Sequence, residues 1–302
     1  MMKAQQNHIP LLQVQEVCLA YPGQKQLAVD RVSFSIDSGS TLGLVGASGA
    51  GKSSIARMIM HLAKPLSGNI RFMGESIFQM DAAQLNNSRR NIQFIFQEPS
   101  TSLSPKRNLG STLLEPLDHF GIGDHASRQA KVLETLETVG LDADVLKRYP
   151  HQFSTGQQQR LAIARALVTD PQLLIADEAV SSLDVSIQAQ ILKLLQTLQK
   201  DLGITLLFIS HDLGVIQQVA NEVAVMYRGQ LLEHSGAEDF FKDPAHPYSR
   251  ALLSFAEGNT AGGAVNANWQ MQIGNGIASR SPGCVFTGNC PDKMNRCKGI
   301  ET

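Results

Sequence analysis

The stretch Thr41–Ser54, TLGLVGASGAGKSS, decides the reading of this chain. Leu42 to Val45 form a short apolar run, as a strand buried on both faces requires. Gly46, Gly49 and Gly51 then crowd into a turn, and Lys52-Ser53 opens a stretch with Ile55, Met58, Ile59 and Leu62 at helical spacing. The spacing G-x-x-x-x-G-K-S from Gly46 to Ser53 is that of a phosphate-binding loop. A triphosphate is dense with negative charge, so the backbone of Gly46, Ala47, Ser48, Gly49, Ala50 and Gly51 has to present N–H donors around it. Glycine permits both the close approach and the positive φ angles this needs. The helix that begins at Lys52, Ser53 and Ser54 adds unpaired N–H groups and the positive end of its dipole. Lys52 is placed to reach the β- and γ-phosphates, and Ser53 to hold Mg²⁺. A glycine turn between strand and helix is the plain alternative, and the motif alone names no reaction.

Composition narrows the class. The 302 residues suffice for an α/β core and a smaller unit, and 43% of them are hydrophobic. No apolar run approaches the ~20 residues that span a bilayer, and MMKAQQNHIP lacks the apolar centre of a signal peptide. The expectation is a soluble, cytoplasmic chain. A formal charge of −1 makes no case for nucleic acid as a partner. Four cysteines, unevenly spread, do not suggest a disulfide framework.

Upstream of the loop, Leu11–Tyr21 and Leu27–Asp37 alternate apolar and polar residues around Tyr-Pro-Gly, which predicts an antiparallel pair. Tyr21 is either a packed turn aromatic or a platform for adenine, whose π face an aromatic ring can hold. Downstream, Asn69–Met73 and Asn91–Gln97 are strand candidates. Gln97 falls at a strand end, where open α/β sheets meet ligands, though a strand-end glutamine also sits comfortably in solvent. Prolines 105 and 116 and glycines 110, 121 and 123 break up the region from Ser100 to Pro150. One helix stands out there, Ser127–Val139, with Val132, Leu133, Leu136 and Val139 on one face, so the region reads as a helical insertion. Phe153–Leu167, FSTGQQQRLAIARAL, is a polar turn feeding a helix whose first donors come from Ser154, Gly156 and Gln157. Leu173–Ala176 is a buried strand that delivers Asp177 and Glu178. Adjacent carboxylates there are costly unless paired; one suits Mg²⁺, the other a water to be deprotonated. Asp184 follows in the next turn, and Ile187–Leu198 is a core-facing helix with Ile191, Leu194, Leu195 and Leu198. Ile204–Ile209 is a further buried strand ending at His211, and Asn221–Tyr227 with Gln230–His234 make a hairpin around Arg228-Gly229.

Taken in order, these blocks resemble the ATP-binding subunit of an ABC transporter over roughly Leu11 to Phe255. The fold so implied is α/β: a RecA-like P-loop NTPase core with an N-terminal antiparallel β subdomain, a helical subdomain near 100–157 and a C-terminal extension. It divides the chain at 1–240 and 241–302. FQEPSTSLSPKRNLGSTLLEPL, DVSIQAQILKLLQTLQ, DPAHPYSRALLS and GCVFTGNCPDKMNRC look like the oligopeptide, dipeptide and nickel importer branch. In that branch two ATPases, the same or paralogous, drive two membrane permease subunits fed by a solute-binding protein, from the cytoplasmic face of the inner membrane. The resemblance implies ATP and Mg²⁺ as ligands. Tyr21 holds adenine, Lys52 the phosphates, and Ser53, Asp177 and Gln97 the metal. Glu178 is the base and His211 the switch, while Ser154, Gly156 and Gln157 reach the nucleotide of a facing subunit with Asp184 nearby.

Three departures from that pattern stand in the sequence. Thr155 replaces a signature glycine, Ala179 replaces a proline after Glu178, and the tail offers only Cys284, Cys290 and Cys297. Three thiolates leave a four-ligand iron–sulfur site incomplete, so free thiols are expected. The competing class is a non-transport ABC ATPase acting on nucleic acid or ribosomes. It would carry a long coiled-coil insert or a second cassette, and the sequence has neither.

Overall fold

The structure, a computed structural model, describes residues 9–24, 26–256, 283–288, 290–294 and 297. Residues 1–8 of the stretch read for a leader, and much of the expected C-terminal extension, lie outside the described residues.

Leu12–Leu19 (β1) and Val29–Ile36 (β2) pair antiparallel, with Leu12 opposite Ile36 and Val14 opposite Phe34, as the alternation predicts. Thr41–Val45 (β3) is buried at every residue. Lys52–Ile59 (α1) follows the glycine turn. This helix is shorter than its periodicity predicts: Leu62 lies beyond it and is 68% exposed. Ser67–Phe72 (β4) adds to the other side of β1, and Glu75–Ser76 (β5) folds back on β4. Ala82–Asn91 (α2) escapes a periodicity reading, because only Ser88 is buried along it. Its signal is a capping box: Asp81 Oδ1 accepts from the Gln84 N–H at 2.8 Å and Gln84 Oε1 from the Asp81 N–H at 2.9 Å. Ile92–Ile95 (β6) is also shorter than expected, since Asn91 closes α2 and Gln97 lies exposed past the strand end.

Within the predicted insertion two helices form, Leu109–His119 (α3) and His125–Thr138 (α4). Pro116 inside α3 hides that helix from the sequence, because proline offers no N–H to the helix; its ring is buried. On α4, Val132 and Leu136 are buried as predicted, whereas Leu133 is 44% exposed. The remaining elements are Thr155–Leu167 (α5), Leu173–Asp177 (β7), Val185–Leu202 (α6) and Thr205–Ser210 (β8). After them come Leu213–Val219 (α7), Glu222–Tyr227 (β9), Gln230–Gly236 (β10), Ala237–Lys242 (α8) and Pro247–Ala256 (α9). Leu192 and not Leu194 joins Ile191, Leu195 and Leu198 on the buried face of α6. Arg228 and Gly229 both take positive φ, 47° and 84°, as the two-residue turn between β9 and β10 demands.

The chain divides into two compact units. One comprises Met1–Asp37, Thr41–Gln79 and Ser210–Thr302. It holds the antiparallel sheet β2-β1-β4-β5 and the run β10-β9-β3, in which β9 is parallel to β3 and Leu44 faces Ala224. The other comprises Ser38–Ser40 and Met80–Ile209. Its parallel strands run β8-β7-β6, with Leu173 between Ile92 and Thr205. Leu173, Leu174, Ile175, Leu207 and Ile209 are all at 0% exposure, each worth about 1.5–3 kcal/mol on burial.

Candidate nucleotide-binding site

In the first unit, β3 feeds the glycine turn directly. Gly46 has φ 149° and Gly51 φ 103°. A Cβ on Gly46 would meet the Met226 carbonyl oxygen at 2.1 Å, and one on Gly51 the Ala28 carbonyl oxygen at 2.4 Å. Both glycines are therefore fixed by space as well as by φ. The loop is stapled to its surroundings: the Gly229 N–H donates to Ala50 O at 2.9 Å, and the Asp30 N–H to Gly229 O at 2.8 Å. Lys52 is 5% exposed, and its Nζ donates to Gly46 O at 2.8 Å and Ala47 O at 3.1 Å. Backbone carbonyls thus hold a buried ammonium in the mouth of the loop. Ser53 is exposed in the first turn of α1, whose N-cap Gly51 is left-handed.

Two other predicted residues join the loop. Tyr21 Oη and Ser54 Oγ lie 3.1 Å apart, and Arg57 Nη1 donates to Tyr21 Oη at 3.5 Å. His211, exposed one residue past β8, shares with Val45 and Gly46 the lining of a cavity of about 490 Å³, which Leu252, Leu253 and Phe255 of α9 also line. A partner that sequence reasoning missed is Tyr248 on α9. Its Oη accepts from the Ala47 N–H at 3.3 Å, its ring is fully buried, and burial pushes its phenol up to about 12. The signal lay inside DPAHPYSRALLS, which was read as a family mark and given no role.

In the second unit, Asp177 ends β7 and Glu178 follows with φ 50°, a left-handed geometry that is uncommon away from glycine. The Glu178 N–H donates to Ile209 O at 2.9 Å, and its carbonyl accepts from the Ser181 N–H at 3.1 Å and Ser181 Oγ at 2.9 Å. With Ala179 and Val180 buried beneath, this turn closes without the usual proline. Ser182 Oγ donates to Gln97 O at 3.4 Å, which brings Gln97 to the same turn.

The remaining candidates sit at helix starts. Ser154 caps α5, with its Oγ accepting from the Gln157 N–H at 3.4 Å and Gln157 Oε1 accepting from the Ser154 N–H at 3.1 Å. Asp184 caps α6 by accepting from the Ile187 N–H at 2.9 Å. Thr155 is the first residue of α5 and is not among the residues with positive φ, so a threonine in place of the glycine carries no left-handed backbone strain there. Gly156 is needed for room, since a Cβ would stand 2.6 Å from Ile187 Cγ2.

Cys284, Cys290 and Cys297 line a second cavity in the first unit with His246, Glu233 and Asp292. Burial raises the Cys284 thiol and lowers His246. His246 Nδ1 accepts from the Tyr248 N–H at 3.1 Å, and its Nε2 faces Cys284 Sγ at 3.6 Å. Three thiolates alone leave a four-ligand iron–sulfur site incomplete. Among the described residues no group of three or more His, Cys, Asp or Glu side chains is arranged to hold a metal ion.

A buried strand, a loop fixed by glycines and a lysine held at its mouth define a P-loop nucleotide-binding protein. Comparison with known proteins narrows this. Residues 29–181 match the ABC transporter family, and residues 232–297 match the oligopeptide/dipeptide transporter C-terminal region. The chain is 42% identical over 294 residues to a putative peptide import ATP-binding protein of Brucella ovis, covering 95% of this chain and 92% of that one. It is 44% identical over 274 residues to another of that description from Brucella abortus, covering 90% and 81%. Among solved structures it resembles cbiO1 of Clostridium perfringens, part of an ABC transporter complex, with TM-score 0.70, 26% identity and coverage of 78% and 91%. It also resembles a dimeric ATP-binding cassette in a post-hydrolysis state with ADP and Pi, with TM-score 0.67, 28% identity and coverage of 75% and 98%. The chain belongs to the ATP-binding subunits of ABC transporters.

Proposed function

We propose that this chain is the ATP-hydrolysing subunit of an importer for peptides, nickel or a related small solute. The observation that carries this is the match of residues 232–297 to the oligopeptide/dipeptide transporter C-terminal region, together with the peptide import relatives at 42% and 44% identity. In this reading the phosphate loop from Gly46 to Ser54 wraps the triphosphate, Lys52, steadied by the Gly46 carbonyl, reaches the β- and γ-phosphates, and Tyr21 packs on the adenine. Ser53, Asp177 and Gln97 would hold Mg²⁺, which their hard oxygen donors suit. When bound, the ion neutralises charge on the phosphate oxygens. Glu178 accepts a proton from the attacking water, and His211 bridges that water and the γ-phosphate. Ser154, Gly156 and Gln157, with Asp184 nearby, face the nucleotide of a second ATPase subunit, the same or paralogous. For Ser154 and Gln157 this means that cap atoms are redirected when the subunits close.

The partners are two permease subunits and, through them, a solute-binding protein. The chain works peripherally at the cytoplasmic face of the inner membrane, and among the described residues no helix is long and apolar enough to cross a membrane. The formal charge of −1 does not favour the nucleic-acid alternative. The test is uptake. The chain, purified with its membrane subunits and reconstituted into vesicles, should accumulate labelled peptide only with ATP, and Glu178→Gln should abolish accumulation. ATP turnover with no ATP-driven uptake of peptide or nickel would contradict the proposal.

A further inference from the structure

The stretch His246-Pro247-Tyr248 lies outside the matched ABC transporter segment, in the matched C-terminal region. Its backbone is held from β10: Glu233 Oε1 accepts from the Ala245 N–H at 2.8 Å and Glu233 Oε2 from the His246 N–H at 2.9 Å. Pro247 then opens α9, where its missing N–H is harmless. This geometry drives Tyr248 into the interior. Its ring lies 4.6 Å from that of Tyr227 and 5.4 Å from that of Phe286, and all three are at most 1% exposed. Phe286 also lies edge-on to Tyr227 at 5.5 Å. The aromatic cluster leaves the Tyr248 hydroxyl at the Ala47 N–H, 3.3 Å away.

That N–H belongs to the same peptide group as the Gly46 carbonyl, which accepts from Lys52 Nζ at 2.8 Å. In a trans peptide the N–H and C=O point in opposite directions. Tyr248 therefore grips one side of the plane while the phosphate lysine grips the other. If the plane turns, the carbonyl that aims Lys52 is lost. We propose that Tyr248 is a positioning residue for nucleotide binding, through which the C-terminal region sets the orientation of the Gly46–Ala47 peptide and hence of Lys52. The aromatic packing from Tyr227 and Phe286 fixes the ring, and the hydroxyl transmits the position as one hydrogen bond. The proposal rests on the phosphate-loop reading given above.

The test uses the full chain and measures the Kd for ATP together with the thermal midpoint. Tyr248→Phe keeps the ring and deletes the hydroxyl. It should weaken ATP binding about two- to tenfold, the loss expected for one hydrogen bond, with little change in the midpoint. In the assembled transporter it should raise the KM for ATP with kcat nearly unchanged. Phe240→Leu, at a fully buried ring on α8, should lower the midpoint and leave the Kd alone. Hydrogen exchange of the Ala47 amide should be slow in the parent chain and faster in Tyr248→Phe. Unaltered ATP affinity in Tyr248→Phe, or an equal loss in Phe240→Leu, would overturn the proposal. Lys52→Ala separates the two levels: if it binds ATP normally, the phosphate-loop reading itself has failed.

Discussion

At the scale of single residues, the glycines of the loop are constrained unequally. Gly46 has no room for a methyl group, because the Met226 carbonyl oxygen would lie 2.1 Å from it and the backbone sits at φ 149°. Gly46→Ala should therefore push the loop off its register and lower ATP affinity at least tenfold, by titration with ATP, while far-ultraviolet circular dichroism stays that of a folded chain. Gly49→Ala meets nothing within 4 Å and carries only the cost of its φ of 77°, so its loss should be smaller. Equal effects at the two positions would contradict the steric account. Of the predicted residues, Gly46 to Ser54 were legible because spacing and chemistry coincide in one short stretch. Tyr248 was not: it lies far along the chain from Ala47, and nothing local marks a buried tyrosine as a ligand of a distant amide.

At the scale of elements, strands were read well and helices unevenly. β3, β7 and β8 are short apolar runs covered on both faces, so composition alone reveals them. α2 and α3 defied the period, one because it is polar along almost its whole length, the other because a proline sits inside it. α3 is tied to α5 by charge. Glu115 contacts Arg165 at 3.2 Å and Arg107 from the preceding turn. Partial burial pushes the Glu115 carboxyl up, but hydrogen bonds and charge from Arg165 and Arg107 outweigh it, and the carboxyl is held below the ordinary glutamate value. A carboxyl depressed in the folded state binds protons more readily when unfolded. Its contribution is thus complete above the unfolded value of about 4.3 and disappears as pH falls through the folded value. Glu115→Gln should lower the thermal midpoint slightly at pH 7, and the gap from the parent chain should close as the melts are repeated down to about pH 3. A gap that persists there would show that the pair contributes through shape alone.

At the scale of the whole molecule, the candidate site residues fall in two compact units. Gly46 to Ser54, Tyr21 and His211 belong to one, and Asp177, Glu178, Gln97 and the cap of α5 to the other. Sequence order made the family legible, since the same motifs recur in the same order. It could not say how far the C-terminal region reaches back, and the hydrogen bond from Ala47 to Tyr248 supplies that link. The central claim is that this ATPase binds a triphosphate on Lys52 and Ser53 and closes against a facing subunit, with Glu178 as the base. The most direct measurement is the mass of the Glu178→Gln chain in solution, with and without ATP and Mg²⁺, alongside its phosphate release. The account predicts ATP-dependent association with about one uncleaved ATP retained per chain. A Glu178→Gln chain that releases phosphate at the parent rate and never associates would contradict it.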